Sequence, residues 1–135
     1  MRNRIITTAF VALALAGIAS AESADDSAKY SKAFTSCMDN SGGVTLNMVE
    51  CMNAELTRQD AKLNAEYKVL MNSLSAERKT QLRTAQRAWI TYRDENCTFY
   101  YDPDGGTMAR LEANMCVVRM TAERASALAL FNERN

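Results

Sequence analysis

Residues 46–74 read LNMVECMNAELTRQDAKLNAEYKVLMNSL, and this stretch decides the fold class. Its apolar side chains recur every three or four residues, which places them along one stripe of a helix. Most of the charged side chains between them, Glu55 included, are expected to face solvent. The stretch therefore predicts a long amphipathic helix with one buried face. The apolar positions are Val49, Met52, Leu56, Leu63, Tyr67, Leu70 and Leu74.

The residues after Leu74 predict a second long helix that runs back antiparallel to the first. Ser75 is of a type that caps helix N-termini, and the turn before it is very short. The apolar pattern continues to about Tyr101 and includes Tyr92 and Phe99, so we expect both of these rings to face the core. The other apolar positions of this helix are Leu82, Ala85 and Trp89.

The turn at residues 102–106, DPDGG, separates the second long helix from a third. It holds the only proline of the chain, which cannot continue a helix, and a glycine pair that favours reversal of the chain. Thr107 is predicted to cap the third helix, whose apolar residues follow a three-four spacing from Met108 to Ala129.

A short helix is predicted before the three long ones. Apolar residues recur at helical spacing from Tyr30 to Cys37, and the breaker sequence at residues 40–43 ends this helix. Thr45 is then predicted to cap the first long helix. No alternating strand pattern occurs, so the predicted fold class is all-α: a three-helix antiparallel bundle with a short N-terminal helix.

The first residues have the pattern of a secretory signal peptide. Arg2 and Arg4 precede an apolar run, and residues 19–21, ASA, form a cleavage site. The run is shorter than the roughly 20 residues that span a bilayer, so no membrane anchor is expected after cleavage. We predict a periplasmic or secreted protein with three segments: a signal peptide at 1–21, a flexible lead at 22–29 and a single domain at 30–135.

The cysteines predict two disulfides, because an even number in an exported chain favours pairing. Their wide spacing and the absence of histidine argue against a zinc site, and no metal or other cofactor is expected. Cys37 and Cys51 flank the glycine turn, whereas Cys97 and Cys116 can lie opposite each other in an antiparallel helical hairpin. We therefore predict the pairs Cys37–Cys51 and Cys97–Cys116.

Composition and charge exclude several function classes. Acidic and basic residues number 16 each, so the chain lacks the cationic excess of a nucleic-acid-binding protein. Without histidine there is no Ser-His-Asp triad, and the spacing of the carboxylates selects no catalytic pair. We therefore expect a binding protein and not an enzyme. The acidic turn at residues 102–106 is the best candidate for contact with a cationic partner.

The densest cluster of functional groups is at residues 86–97, QRAWITYRDENC. Together with the cysteine order and the segment at residues 63–67, this cluster resembles the LprI-like lysozyme inhibitor N-terminal domain, over about residues 37–128. The motif is interpreted as structural, with Trp89 and Tyr92 packed inward; the alternative is a binding surface. The motif residues are Leu63, Asn64, Tyr67, Gln86, Trp89, Tyr92, Arg93 and Asp94.

The resemblance implies a small exported bacterial protein that binds a lysozyme and blocks its cleft sterically. Chicken-type lysozymes are cationic and hold two catalytic carboxylates in that cleft, so acidic groups would steer association. A hydrogen-bond donor, Thr107 or Arg110, would enter between the carboxylates. The acidic groups expected to steer the partner are Asp94, Glu95, Asp102 and Asp104.

A second hypothesis is a periplasmic structural or adaptor module that binds another envelope protein and has no action on lysozyme. A contiguous acidic patch around residues 102–106 would favour inhibition. An exposed apolar groove between the helices would favour docking of a partner helix.

Overall fold

The computed structural model describes residues 29–134, and all regular structure within that range is helical. The predicted signal peptide at 1–21, and the lead predicted at 22–29 except for its last residue, lie outside the described residues. Between residues 29 and 134, no helix is both long and apolar enough to cross a membrane. The all-α fold class is confirmed, and the helices are α1 (Lys32–Asp39), α2 (Thr45–Ser73), α3 (Ala76–Phe99) and α4 (Gly106–Arg134).

The helix starts match the predicted caps at one position and differ at two. Ser75 caps α3, since its hydroxyl accepts from the Arg78 N–H at 3.4 Å. At α2 the cap position belongs to Val44, whose carbonyl already accepts from Met48 N at 3.0 Å. At α4 the helix begins at Gly106, two residues before the start that a cap at Thr107 predicts, and this glycine adopts φ +63°, a conformation that favours glycine. Thr45 and Thr107 therefore lie inside their helices, and the predicted caps are wrong there.

The core is built chiefly between α2 and α4, which run parallel and pack along their length. Leu63 and Leu70 of α2 lie against Ala125 and Leu128 of α4, and both α4 side chains are fully buried. Nearer the beginning of α2, Met52 packs against Val118 and against Phe34 of α1. The predicted buried stripe of α2 is thus confirmed at the positions that meet α4.

The prediction that Tyr92 and Phe99 face the core is wrong, since 62% of Tyr92 and 87% of Phe99 are exposed. The buried side chains of α3 are Gln86 and Cys97. Because Cys97 is bonded to α4, it sets the rotation of α3 about its own axis, and the two rings then project sideways. Trp89 is half-buried and packs against the core of α2 and α4, as predicted.

Glu55 was expected in solvent, yet its side chain is fully buried. Its carboxylate accepts from the backbone N–H of Ser31 at 2.9 Å, from Arg58 Nε at 2.7 Å and from Gln59 Nε2 at 2.7 Å. Burial alone would raise the pKa of Glu55, but hydrogen bonds from Ser31, Arg58 and Gln59 outweigh it and hold the pKa below its ordinary value. Glu55 therefore fastens the start of α1 to α2.

Both predicted disulfides are confirmed. The Cα atoms are 5.7 Å apart in Cys37–Cys51 and 5.5 Å apart in Cys97–Cys116. The first joins α1 to α2 and the second joins α3 to α4. Because α2 and α4 begin where α3 ends, both disulfides lie at one end of the bundle, called here the stapled end. The opposite end, with the turn at Leu74 and the last residues of α4, is called the open end.

Candidate functional site

The turn between α3 and α4, at the stapled end, is held in one shape by its own backbone. The Asp102 carbonyl accepts from Gly105 N at 3.0 Å, and its side-chain Oδ1 accepts from Asp104 N at 2.9 Å. A Cβ atom at Gly105 would lie 2.6 Å from the Ala109 Cβ, so only glycine allows this approach of the turn to α4. The predicted acidic turn is therefore a compact structure.

The Cys97–Cys116 disulfide forms the base of this turn. Cys97 lies one half-turn before the end of α3, and both cysteines are buried together with Met120. The Asn96 amide nitrogen lies 3.5 Å from the sulfur atoms of both Cys116 and Met120. Covalent and packing restraints thus hold the end of α3 against α4, at a position ten residues after α4 begins.

Exposed apolar side chains precede and follow the acidic residues of the turn in the chain, and the sequence pattern did not predict their exposure. Phe99 is 87% exposed, Met108 is 62% exposed, and Tyr100 and Tyr101 are each more than 40% exposed. Exposed aromatic rings on a restrained support are typical of binding surfaces. The signal available in the sequence was position, since these residues lie beyond the last buried cysteine of α3 and next to the proline turn.

Asp102 and Asp104 are both exposed and lie among these apolar side chains. Thr107 and Arg110 are exposed in the first turns of α4, beside the same surface. Arg110 makes no ion pair within residues 29–134. We call this region the turn surface; it consists of Phe99, Tyr100, Tyr101, Asp102, Asp104, Thr107, Met108 and Arg110.

The two remaining predicted acids lie along α3. Asp94 lines a shallow groove of about 400 Å³ together with Tyr101, beside the Cys97–Cys116 disulfide. Its carboxylate is 2.8 Å from Arg93 Nη2, so much of its charge is neutralised locally. Glu95 is exposed but does not line this groove. The fold therefore brings Asp94 towards the turn surface and leaves Glu95 apart from it.

Most of the motif residues line a cleft of about 410 Å³ between α2 and α3, which we call the motif cleft. Arg93 and Arg124 lie over the Trp89 ring at 5.1 and 5.8 Å from its centre. Tyr92 and Asp94 are motif residues outside the cleft. The motif residues that line it are Leu63, Asn64, Tyr67, Gln86, Trp89 and Arg93.

Hydrogen bonds fix the motif cleft to α4. Arg93 Nη1 donates to Thr121 Oγ1 at 3.2 Å, and Arg124 Nε donates to Gln86 Oε1 at 2.9 Å. Burial lowers the pKa of the Arg124 guanidinium, which nonetheless stays charged at neutral pH. The structural interpretation of the motif is therefore supported for Gln86 and Arg93.

A comparison with known protein families identifies the family to which this chain belongs. The family described as Lysozyme inhibitor LprI matches residues 37–128, a range that contains both disulfides, the turn surface and the motif residues. The chain belongs to the LprI lysozyme inhibitor family.

The LprI-family chain is also similar to the uncharacterized protein R02472 of Rhizobium meliloti (strain 1021). The two are 28% identical over an alignment of 92 positions, and the match covers 58% of this chain and 66% of that protein. The match thus spans just under two thirds of the relative's length. No solved structure matches the chain significantly.

Proposed function

We propose that this LprI-family protein is exported to the periplasm or beyond, and that it inhibits a peptidoglycan-cleaving lysozyme by covering the substrate cleft with its turn surface. Family membership supports inhibition as the general activity. The observation that carries the choice of surface is the group of exposed aromatic rings around Asp102 and Asp104, on a turn fixed by a disulfide.

The turn surface has the chemistry of a protein-binding site. Tyrosine and phenylalanine provide large contact areas with few rotatable bonds, so they lose little conformational entropy on binding. The Cys97–Cys116 disulfide and the hydrogen bonds of Asp102 restrain the backbone that carries the rings before the partner arrives. A surface that is already ordered binds more tightly because less ordering has to accompany association.

Electrostatics would act locally. The whole chain has a formal net charge of zero, and loss of Arg2 and Arg4 with a signal peptide would leave only −2. Long-range attraction to a cationic lysozyme would therefore be modest. Asp102 and Asp104 would contribute chiefly at short range, where they set orientation and raise the association rate.

Arg110 is the stronger of the two candidates for a donor that enters the lysozyme cleft. Its guanidinium can form paired hydrogen bonds to carboxylates, whereas the Thr107 hydroxyl donates only one. Both side chains are exposed beside the turn surface. Insertion of Arg110 between the two catalytic carboxylates would block both groups at once.

The test is lysis of a peptidoglycan suspension by a chicken-type lysozyme, with and without excess protein, in low and moderate salt. We expect inhibition that weakens as salt rises, because exposed charge pairs are screened. The variant Asp102→Asn/Asp104→Asn should inhibit about tenfold less well in low salt. Glu77→Gln/Glu133→Gln is the matched control, since it removes two exposed carboxylates at the open end.

Two outcomes would count against this proposal. Equal loss of inhibition in both double variants would mean that only net charge matters and that the turn surface is not the surface that binds lysozyme. Absence of inhibition across several lysozyme classes, with both disulfides verified by mass spectrometry, would contradict lysozyme as the partner.

One observation favours the second candidate, an adaptor that binds an envelope protein. A groove of about 490 Å³ near the open end is lined by Leu74, Leu82, Ala85 and Phe131 among other residues. A photo-cross-linking group placed at Ala85 and, separately, at Tyr101 would compare the two faces in envelope extracts. Cross-links from Ala85 alone would favour the adaptor, and cross-links from Tyr101 to lysozyme would favour inhibition.

A further inference from the structure

Two arginines that line the motif cleft have guanidinium groups without an ion pair or hydrogen bond within residues 29–134. These are Arg83 and Arg87, both of which are exposed. They are one helical turn apart on α3, where like charges destabilise a helix by a few tenths of a kcal/mol. Such a pair, held against a cleft, points to a ligand that satisfies both guanidiniums.

The rest of the cleft also offers donors in excess of acceptors. Three guanidiniums face one carboxylate, that of Asp60. Asp60 Oδ1 lies 3.9 Å from Arg93 Nη1, and Arg93 is further engaged by Asp94, so Arg83 and Arg87 are left unneutralised. The positive excess is local, since acidic and basic residues balance over the chain. Charge and hydrogen-bond capacity therefore both select an acceptor-rich anion.

The dimensions of the cleft fit a small molecule. Its volume of about 410 Å³ lies at the lower end of the range for small-molecule sites. Gln86 is held by Arg124, and two guanidiniums lie 5.1 and 5.8 Å from the centre of the Trp89 ring, so the wall beside Arg83 and Arg87 is already restrained. A restrained wall with two free guanidiniums suits a carboxylate or phosphate on a body the size of a sugar.

We propose that the motif cleft is a binding site for an oxyanion carried on a sugar-sized molecule, and that Arg83 and Arg87 bind its carboxylate or phosphate group. This site is separate from the turn surface and does not depend on lysozyme inhibition. The motif residues then have two roles: Gln86 and Trp89 fasten α3 to the core, and they also shape the wall of the site.

Trp89 provides a direct readout because it is the only tryptophan of the chain and lines the cleft. Three probes share one ring and differ at a single carbon: glucose, glucuronate and glucose 6-phosphate. Each is titrated in low salt up to about 10 mM, by Trp89 fluorescence and by calorimetry, so that binding without a fluorescence change is also detected. We expect saturable binding of at least one charged sugar, weakened by salt, and none of glucose.

The variants Arg83→Gln and Arg87→Gln should each weaken that binding by about tenfold, and the double variant should abolish it. Arg78→Gln is the matched control, because it removes the same charge from the same helix but lines the open-end groove instead. The stronger of the two charged probes identifies carboxylate or phosphate as the preferred group. Equal binding of glucose, loss of binding in Arg78→Gln, or no binding of either charged sugar by both methods would overturn the proposal.

Discussion

The stapled end and the open end of the bundle are stabilised by different means. The stapled end holds both disulfides and the buried Glu55 carboxylate, all close to an exposed aromatic surface. At the open end, Leu70 and Leu128 pack in an apolar cluster. The covalent restraints are therefore concentrated beside the surface proposed to meet a partner. The open end is held instead by this apolar packing and by hydrogen bonds from Asn132 Nδ2 to the Glu66 backbone carbonyl at 3.1 Å and to the Glu66 carboxylate at 2.7 Å.

Size helps to explain this division. A domain of about 100 residues buries too little apolar surface to order long loops and exposed rings as well as its core. In an oxidising compartment, disulfides supply the missing restraint. The Cys37–Cys51 bond adds a covalent link to the packing of Phe34 of α1 against Met52 of α2. The Cys97–Cys116 bond joins α3 to α4 two residues before α3 ends.

The largest effect on stability is expected at the open end. Leu128 is fully buried between α2 and α4, so Leu128→Ala should lower the free energy of unfolding by about 2–5 kcal/mol. Urea denaturation measures the loss. At a temperature where the variant remains folded, lysozyme inhibition should be unchanged, because the turn surface is far along the bundle. A folded variant with impaired inhibition would show that the two ends are not independent.

Removing each disulfide in turn distinguishes its effect on stability from its effect on inhibition. Cys97→Ser/Cys116→Ser and Cys37→Ser/Cys51→Ser should each cost about 3 kcal/mol, since the loops closed are similar in length. Only the first should abolish inhibition, because only that disulfide supports the turn surface. Equal inhibition by both folded variants would contradict the role given to Cys97–Cys116.

Because Glu55 is buried at the stapled end, we expect the free energy of unfolding to depend on pH. Its folded pKa is depressed, so its contribution is fully present above the unfolded value of about 4.5 and is lost as the pH falls through the lower folded pKa. Glu55→Gln should cost about 1–3 kcal/mol at pH 7 and flatten the acid limb of the stability curve. Urea unfolding from pH 7 to pH 3 tests this, with the exposed Glu50→Gln as control. An unchanged acid limb in Glu55→Gln would rule out this role.

Much of the fold could be predicted because its signals are local or covalent. The stripe of α2 requires only regular spacing, and the cysteine pairs follow once the helices are placed antiparallel. The rotation of α3 about its own axis could not be predicted from residue spacing in the same way. Leu82 and Trp89 pack against the core, and the Cys97–Cys116 bond fixes the same face of α3 near its end. Tyr92 and Phe99 then lie outside.

The candidate sites show the same limit. The acidic turn was predictable from Asp102, Asp104 and the adjacent glycines, because that composition is typical of an exposed turn. The aromatic rings around it depended on the rotation of α3. Burial of Glu55 depended on Ser31, which is 24 residues away in sequence. The free arginines of the motif cleft could be recognised only after the ion pairs of Arg93 were known.

The most direct test of the central claim is the lysozyme inhibition constant of Phe99→Ala/Tyr101→Ala beside that of Val69→Ala/Leu130→Ala. Both variants remove two exposed apolar side chains, the first from the turn surface and the second from the open half of the bundle. If the turn surface binds lysozyme, the first should weaken inhibition at least about tenfold and the second should leave it unchanged. Unchanged inhibition by the first variant, or equal losses in both, would contradict the claim.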